Sequence, residues 1–167
     1  AKKDLSALIA RLLMETVFVR QFSTLQEYFS ESFTRLFGGG RGEISMSDPS
    51  DPLGCGIDII VQPPGKKRQL LSLFSGGERA LTAIALLFAM LKLKPTPFCI
   101  LDEIEAALDD ANISYFADYL KEFSKDTQFI VVTHRKGTME RCDTLFGVAM
   151  EERGVSSMVS VNLTDYE

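Results

Sequence analysis

The chain has 167 residues, 46% hydrophobic and 25% charged, with 18 basic against 23 acidic side chains and a formal net charge of −5. That balance fits one ordinary globular domain with a sizeable core; it excludes disorder, and no run approaches the ~18 uncharged apolar residues of a membrane helix. An acidic chain is also a poor candidate for an autonomous basic-patch nucleic-acid binder, although a DNA-associated machine with its basic surface elsewhere stays open.

The chain begins Ala1-Lys2-Lys3, without a methionine, so a piece of a longer or processed protein is expected. Residues 1–37 read as helix. Leu5, Leu8, Ile9, Leu12 and Leu13 make one apolar stripe; Phe18, Phe22, Leu25, Phe29 and Leu36 make a second, heptad-like one that stops at Phe37-Gly38-Gly39-Gly40. Thr16, Val17, Phe18 and Val19 lower helix propensity where the stripes fall out of phase, which predicts a kink or a change of packing partner there. The segment is either a core-packing helix or the end of a coiled coil entering a globular head.

Two short strands are expected at Glu43–Met46 and Gly56–Val61, around a turn-rich segment with Asp48-Pro49 and Asp51-Pro52. Lys66, Lys67 and Arg68 follow Pro63-Pro64-Gly65 and read as a solvated basic loop. From Ser75 the pattern alternates: helix Gly76–Leu93, strand Phe98–Leu101, helix Ala111–Phe123, strand Phe129–Val132. Short apolar strands alternating with helices predict an α/β fold with a parallel sheet covered on both faces. Thr144–Met150 and Ser157–Val161 read as closing strands. Cys55, Cys99 and Cys142 are odd in number and lack metal-ligand spacing, which predicts buried free thiols in a reducing compartment.

Three places carry candidate chemistry. Ser75-Gly76-Gly77-Glu78 is a capping box opening a helix, and its glycines let backbone N–H groups and the helix dipole approach an anion. Phe98-Cys99-Ile100-Leu101 is a buried strand that delivers Asp102 and Glu103 at its C-terminal end, where open parallel sheets bind ligands. Asp102 suits Mg²⁺, directly or through water, and Glu103 suits polarisation of an attacking water. His134 ends a second buried strand and could hydrogen-bond a terminal phosphate if the strands are neighbours. Taken singly, each has an ordinary structural explanation: a helix cap, solvated acids, a structural histidine. In fixed order, with Asp109 after the acidic pair, they read as an ATPase of the ABC class.

The chain resembles the C-terminal half of the ATPase head of bacterial SMC (structural maintenance of chromosomes) proteins, from about Phe18 to Leu163. The resemblance is carried by Leu36-Phe37-Gly38-Gly39-Gly40, Gln62-Pro63-Pro64-Gly65-Lys66-Lys67, the run from Ser75 to Phe88, Pro97 to Glu103, Glu105 to Asp109 and Thr133 to Glu140. In family terms these hold the signature (Ser75, Gly76, Gly77, Glu78), the Walker B strand, the D-loop (Asp109) and the switch histidine. The signature begins with Phe74 where the family usually has Leu, and Ile104 stands where ABC transporters usually have Pro. No Gly-x4-Gly-Lys-Ser/Thr loop is present, so the chain alone is expected to be inactive as an ATPase.

The resemblance implies residues 1–37 as the end of a returning coiled coil and residues 38–167 as the C-terminal half of the head, with the phosphate loop on the N-terminal half. It implies ATP and Mg²⁺ as ligands: Asp102 for the metal, Glu103 and His134 for catalysis in the same head, and the signature for ATP on the opposing head. Implied partners are the N-terminal half, a second SMC head in an ATP-dependent homodimer, a kleisin subunit with its accessory protein, and DNA. Membrane is not among them, and the implied location is the cytoplasm, on the nucleoid. The alternatives are a head fragment of another ABC-type DNA-repair ATPase, or a partner-binding fragment inactive on its own.

Overall fold

The computed structural model describes residues 2–162; Ala1 and residues 163–167, where the expected segments begin and end, lie outside the described residues. Helix α1 (Lys2–Leu36) runs unbroken through Thr16–Val19, so the expected kink is absent. The alternative expectation, a change of packing partner, is what occurs. Phe22, Phe29, Phe33 and Leu36 are buried, whereas Leu5, Leu8, Ile9, Leu12 and Leu13 are 50–63% exposed. The helix ends at Gly38, which sits at φ +64 and where any Cβ would come within 2.8 Å of the Tyr115 ring. Only glycine meets both demands.

The chain then forms β1 (Arg41–Met46), β2 (Ile57–Gln62) and the short β3 (Gln69–Leu70), an antiparallel sheet in the order β1-β2-β3. The stripe of α1 packs on it through Ile44 and Val61, and Gln26 donates from its side chain to the Ile44 carbonyl at 2.7 Å. The loop after β2 is not idle: Arg68 pairs with Glu43 and Lys66 with Glu78.

Helix α2 (Gly76–Leu93), strand β4 (Phe98–Asp102), helix α3 (Asp110–Phe123) and strand β5 (Gln128–Val132) follow the expected alternation, and β4 and β5 pair in parallel. Phe88 on α2 is fully buried, with ring centroids of Tyr119, Phe123, Phe129 and Phe116 at 5.0, 5.3, 6.1 and 6.3 Å. Beside them the Ser32 hydroxyl and the Tyr119 hydroxyl share a buried hydrogen bond of 2.9 Å, tying α1 to α3.

Helices cover one face of the β4–β5 pair, where Cys99, Leu101, Phe129 and Val131 point inward. The other face, with Phe98, Ile100, Ile130 and Val132, is exposed, so the expectation of two covered faces is corrected. Nothing among the described residues lies over the second face. A short helix, α4 (Lys136–Met139), precedes β6 (Thr144–Glu152) and β7 (Val155–Asn162). These last two strands pair antiparallel with each other and do not join the parallel sheet among the described residues, so they do not close it as expected. The three cysteines are free but only partly buried. Burial pushes the Cys99 and Cys142 thiols above their ordinary range.

Candidate functional site

In parallel register Leu101 lies opposite Val131 and Asp102 opposite Val132, so both strands end at one edge. Alternation places Asp102 on the open face, beside Ile100. The next residue breaks the extended conformation: Glu103 adopts φ +48, and its N–H donates to the Val132 carbonyl at 3.0 Å. That turn brings the Glu103 carboxylate to the end of β5, where its Oε1 lies 3.3 Å from His134 Nδ1. Both side chains are more than half exposed. The predicted acid and imidazole are thus brought together, at the rim of an uncovered apolar face.

The other predicted group is built separately. Ser75 caps α2: its hydroxyl accepts from Glu78 N and donates to Glu78 Oε2 at 2.8 Å, and the Glu78 carboxylate accepts from Ser75 N. Lys66 Nζ adds an ion pair to Glu78 at 2.8 Å. Burial pushes the Glu78 carboxyl up, but the bonds from Lys66 and Ser75 outweigh it and hold the group below its ordinary value. Nothing lies within 4 Å of a Cβ built on Gly76, whereas one on Gly77 would come 3.0 Å from the Ala107 carbonyl. The first glycine keeps the helix mouth open, and the second lets it approach the segment leading to Asp109. Asp109 caps α3, accepting from Asn112 N at 2.8 Å. No hydrogen bond or ion pair among the described residues joins Ser75–Glu78 to Asp102, Glu103 or His134.

Sequence reasoning gave no role to three residues that hold these parts. Lys66 steadies the α2 cap. Arg135 donates to the Leu108 carbonyl at 2.9 Å and to Asp110 at 3.0 Å, linking the loop after β5 to the start of α3. Glu105 is fully buried and accepts from Thr133 and Thr138. Its only sequence signal is a single acid between Ile104 and Ala106-Ala107.

The described residues hold no cluster of three or more potential metal ligands. The Asp102 carboxylate, exposed and without a hydrogen bond among the described residues, fits a cation such as Mg²⁺, which takes one or two carboxylates and completes its shell with water and substrate phosphates.

Residues 2–157 match the family model described as RecF/RecN/SMC N terminal domain. The chain is 61% identical over 144 residues to the chromosome partition protein Smc of Bacillus subtilis, covering 86% of the chain and 12% of that protein. It is 57% identical over 165 residues to the Smc of Desulfitobacterium hafniense, covering 98% of the chain and 14% of that protein. The chain therefore spans about one-eighth of the length of these relatives. Among solved structures, it superposes on one from work on ATP-driven dimerization and DNA stimulated activation of SMC ATPases. There the TM-score is 0.83 and the identity 43%, over 90% of this chain and 91% of that one. It also superposes on the Smc head of Pyrococcus furiosus with an extended coiled coil, bound to the C-terminal domain of ScpA. That match has a TM-score of 0.86 and 42% identity, over 98% of this chain and 42% of the other.

Proposed function

The chain belongs to the RecF/RecN/SMC family and has the α/β fold of SMC ATPase heads, and on that premise we propose that it is the C-terminal half of such a head. Joined to the N-terminal half, it binds and hydrolyses ATP between two engaged heads, and the cycle drives chromosome organisation and segregation. The family model is described as an N terminal domain. The C-terminal assignment rests on the chain's own motifs: Ser75–Glu78, Asp102-Glu103 and His134 are present, and the lysine-bearing phosphate loop is not.

The Glu103–His134 contact at the C-terminal ends of two parallel strands, beside an open apolar face, is the observation that carries this function. Glu103 is placed to polarise an attacking water and His134 to hydrogen-bond the terminal phosphate. Asp102 would hold Mg²⁺, which supplies charge neutralisation on the phosphates when bound. Gly76 and Gly77 open the start of α2 for the ATP of the opposing head, and Asp109 lies in the contact between heads. Removal of the shared phosphate then releases the two heads, a ligand-biased two-state element.

Residues 1–37 are proposed as the end of the returning coil, an assignment supported by the exposed stripe from Leu5 to Leu13, and residues 38–167 as the half-head. The proposed partners are a second head, a kleisin with its accessory subunit, and DNA in the full complex, at the nucleoid. No helix among the described residues is long and apolar enough to cross a membrane.

Reconstitution tests the proposal. Mixing this chain with the N-terminal half should produce ATP turnover that neither piece shows alone, and sustained turnover by this chain unaided would refute it.

A further inference from the structure

His134 is exposed, and its one polar side-chain contact among the described residues, to Glu103 at 3.3 Å, joins it to a second exposed group. Two exposed side chains do not fix each other, so what holds this pair in register has to lie beneath it. The turn after β4 is closed by Ala106 N–H donating to the Glu103 carbonyl at 3.1 Å and Leu108 N–H donating to the Glu105 carbonyl at 3.0 Å. The side chain at the middle of that turn, Glu105, is 0% exposed. One of its oxygens, Oε1, accepts from the hydroxyl of Thr133 and from that of Thr138 at 3.2 Å. Thr133 immediately precedes His134, and Thr138 lies beyond it on α4. The Thr133 hydroxyl in turn accepts from Arg135 N at 3.0 Å. Both flanks of the histidine loop are therefore pinned to one carboxylate oxygen, which belongs to the same turn as Glu103.

The other oxygen, Oε2, is buried without a hydrogen-bond partner among the described residues. Such an atom is costly, and an apolar side chain of similar size would avoid the cost. A carboxylate kept there at the expense of stability points to a task other than stability.

We propose that Glu105 is a positioning residue for ATP hydrolysis, setting the Glu103 turn and the His134 loop in fixed relation through Thr133 and Thr138. This inference rests on the roles proposed above for Glu103 and His134. Glu105 is fully buried and acts through Thr133 and Thr138, so its loss slows the chemical step and leaves ATP binding and head pairing in place.

The test uses a head reassembled from this chain and the N-terminal half. Glu105→Leu should lower kcat by about 10-fold or more, the order expected for a small misplacement of reacting groups, with KM for ATP and ATP-dependent pairing unchanged. Glu105→Gln, which keeps an acceptor for both hydroxyls, should restore most of the rate. His134 is the only histidine of this chain, so with only this chain isotope-labelled a single imidazole signal reports directly on the loop. It should move in Glu105→Leu and stay in place in Glu105→Gln. Wild-type turnover in Glu105→Leu, or an unmoved imidazole signal, overturns the proposal. If Glu105→Leu does not fold, Thr133→Val with Thr138→Val answers in its place: a similar kcat loss at constant KM supports the proposal, and an unchanged rate overturns it. A parallel Glu103→Gln sample separates the two levels. If that variant keeps full turnover, the role of the acid fails, while the imidazole signal still decides whether Glu105 positions the loop.

Discussion

Replacing Glu103 by glycine should make the protein more stable and inactive at once. Glu103 is the one non-glycine residue at positive φ among the described residues, at +48. A side chain costs about 1–2 kcal/mol in that left-handed region. Glycine removes that cost but gains freedom in the unfolded chain worth about 0.5–1 kcal/mol, leaving a net gain of up to about 1.5 kcal/mol and about 0.75 kcal/mol at mid-range. The lost contact with His134 subtracts little, because both partners are largely exposed. For a domain of this size the mid-range gain corresponds to about 1–4 °C in Tm. Turnover moves the other way: losing a general base costs about 10²–10⁴-fold in rate, or ~3–5 kcal/mol of barrier. Glu103→Gln is the control, since it keeps the Cβ and therefore the strain; its Tm should match wild type while its turnover falls as far. The assay is a thermal melt paired with ATPase rates on the reassembled head. A lower Tm for Glu103→Gly, or an equal rise in Glu103→Gln, would refute the claim of local strain.

Ser75→Arg should abolish ATP-dependent head pairing, measured by size-exclusion with light scattering, while single heads still bind nucleotide; loss of that binding would contradict a role toward the opposing head. The same change removes the α2 cap and should cost about 1 kcal/mol of stability in urea unfolding. Phe88→Ala empties the centre of a five-ring cluster and should destabilise by about 3–5 kcal/mol, read from the urea midpoint at constant slope. Glu78 titrates below its ordinary value in the folded chain, so its contribution is present above the unfolded carboxylate range and is lost as pH falls through the lowered folded value. Lys66→Met should raise the Glu78 titration midpoint in carboxyl NMR and shrink that acid-sensitive contribution. An unmoved midpoint would remove Lys66 from the cap.

What could be read in advance was whatever local chemistry decides. The Ser75–Glu78 capping box sets the start of α2 within a few covalent bonds, so the expected Gly76–Leu93 helix is the observed one. The apolar run Phe98–Leu101 and the glycines after Phe37 are equally local, and β4 and α1 follow them to within a residue. Partners are another matter. Leu5 to Leu13 and Phe22 to Leu36 carry the same kind of stripe, yet one is solvated and the other buried, because periodicity specifies a face and not what covers it. The same blindness hid the open side of β4–β5 and the separate pairing of β6 with β7. Glu105 was illegible for the opposite reason: acids are almost never fully buried unless paired, and its two hydroxyl partners lie 28 and 33 residues away.

The uncovered surface is large enough to constrain how the site can work. The accessible area is 11097 Å², against about 8,200 Å² for a compact monomer of this mass. The exposed apolar residues concentrate on the first turns of α1, on the open face of β4–β5 and on the β6–β7 hairpin. Of these, the β4–β5 face is the one that shares its rim with Asp102 and lies next to Glu103 and His134. A segment that covers Phe98, Ile100, Ile130 and Val132 necessarily arrives beside the acids and the imidazole. Burying even ~400 Å² of apolar surface is worth about 10 kcal/mol before the costs of association. On the proposed function, docking of the N-terminal half on this face and completion of the catalytic constellation are one event, driven by the hydrophobic face rather than by the exposed polar pair. It follows that the Glu103 and His134 side chains are free to answer a phosphate while Glu105 keeps their backbones in fixed relation, because the assembly does not depend on their mutual contact.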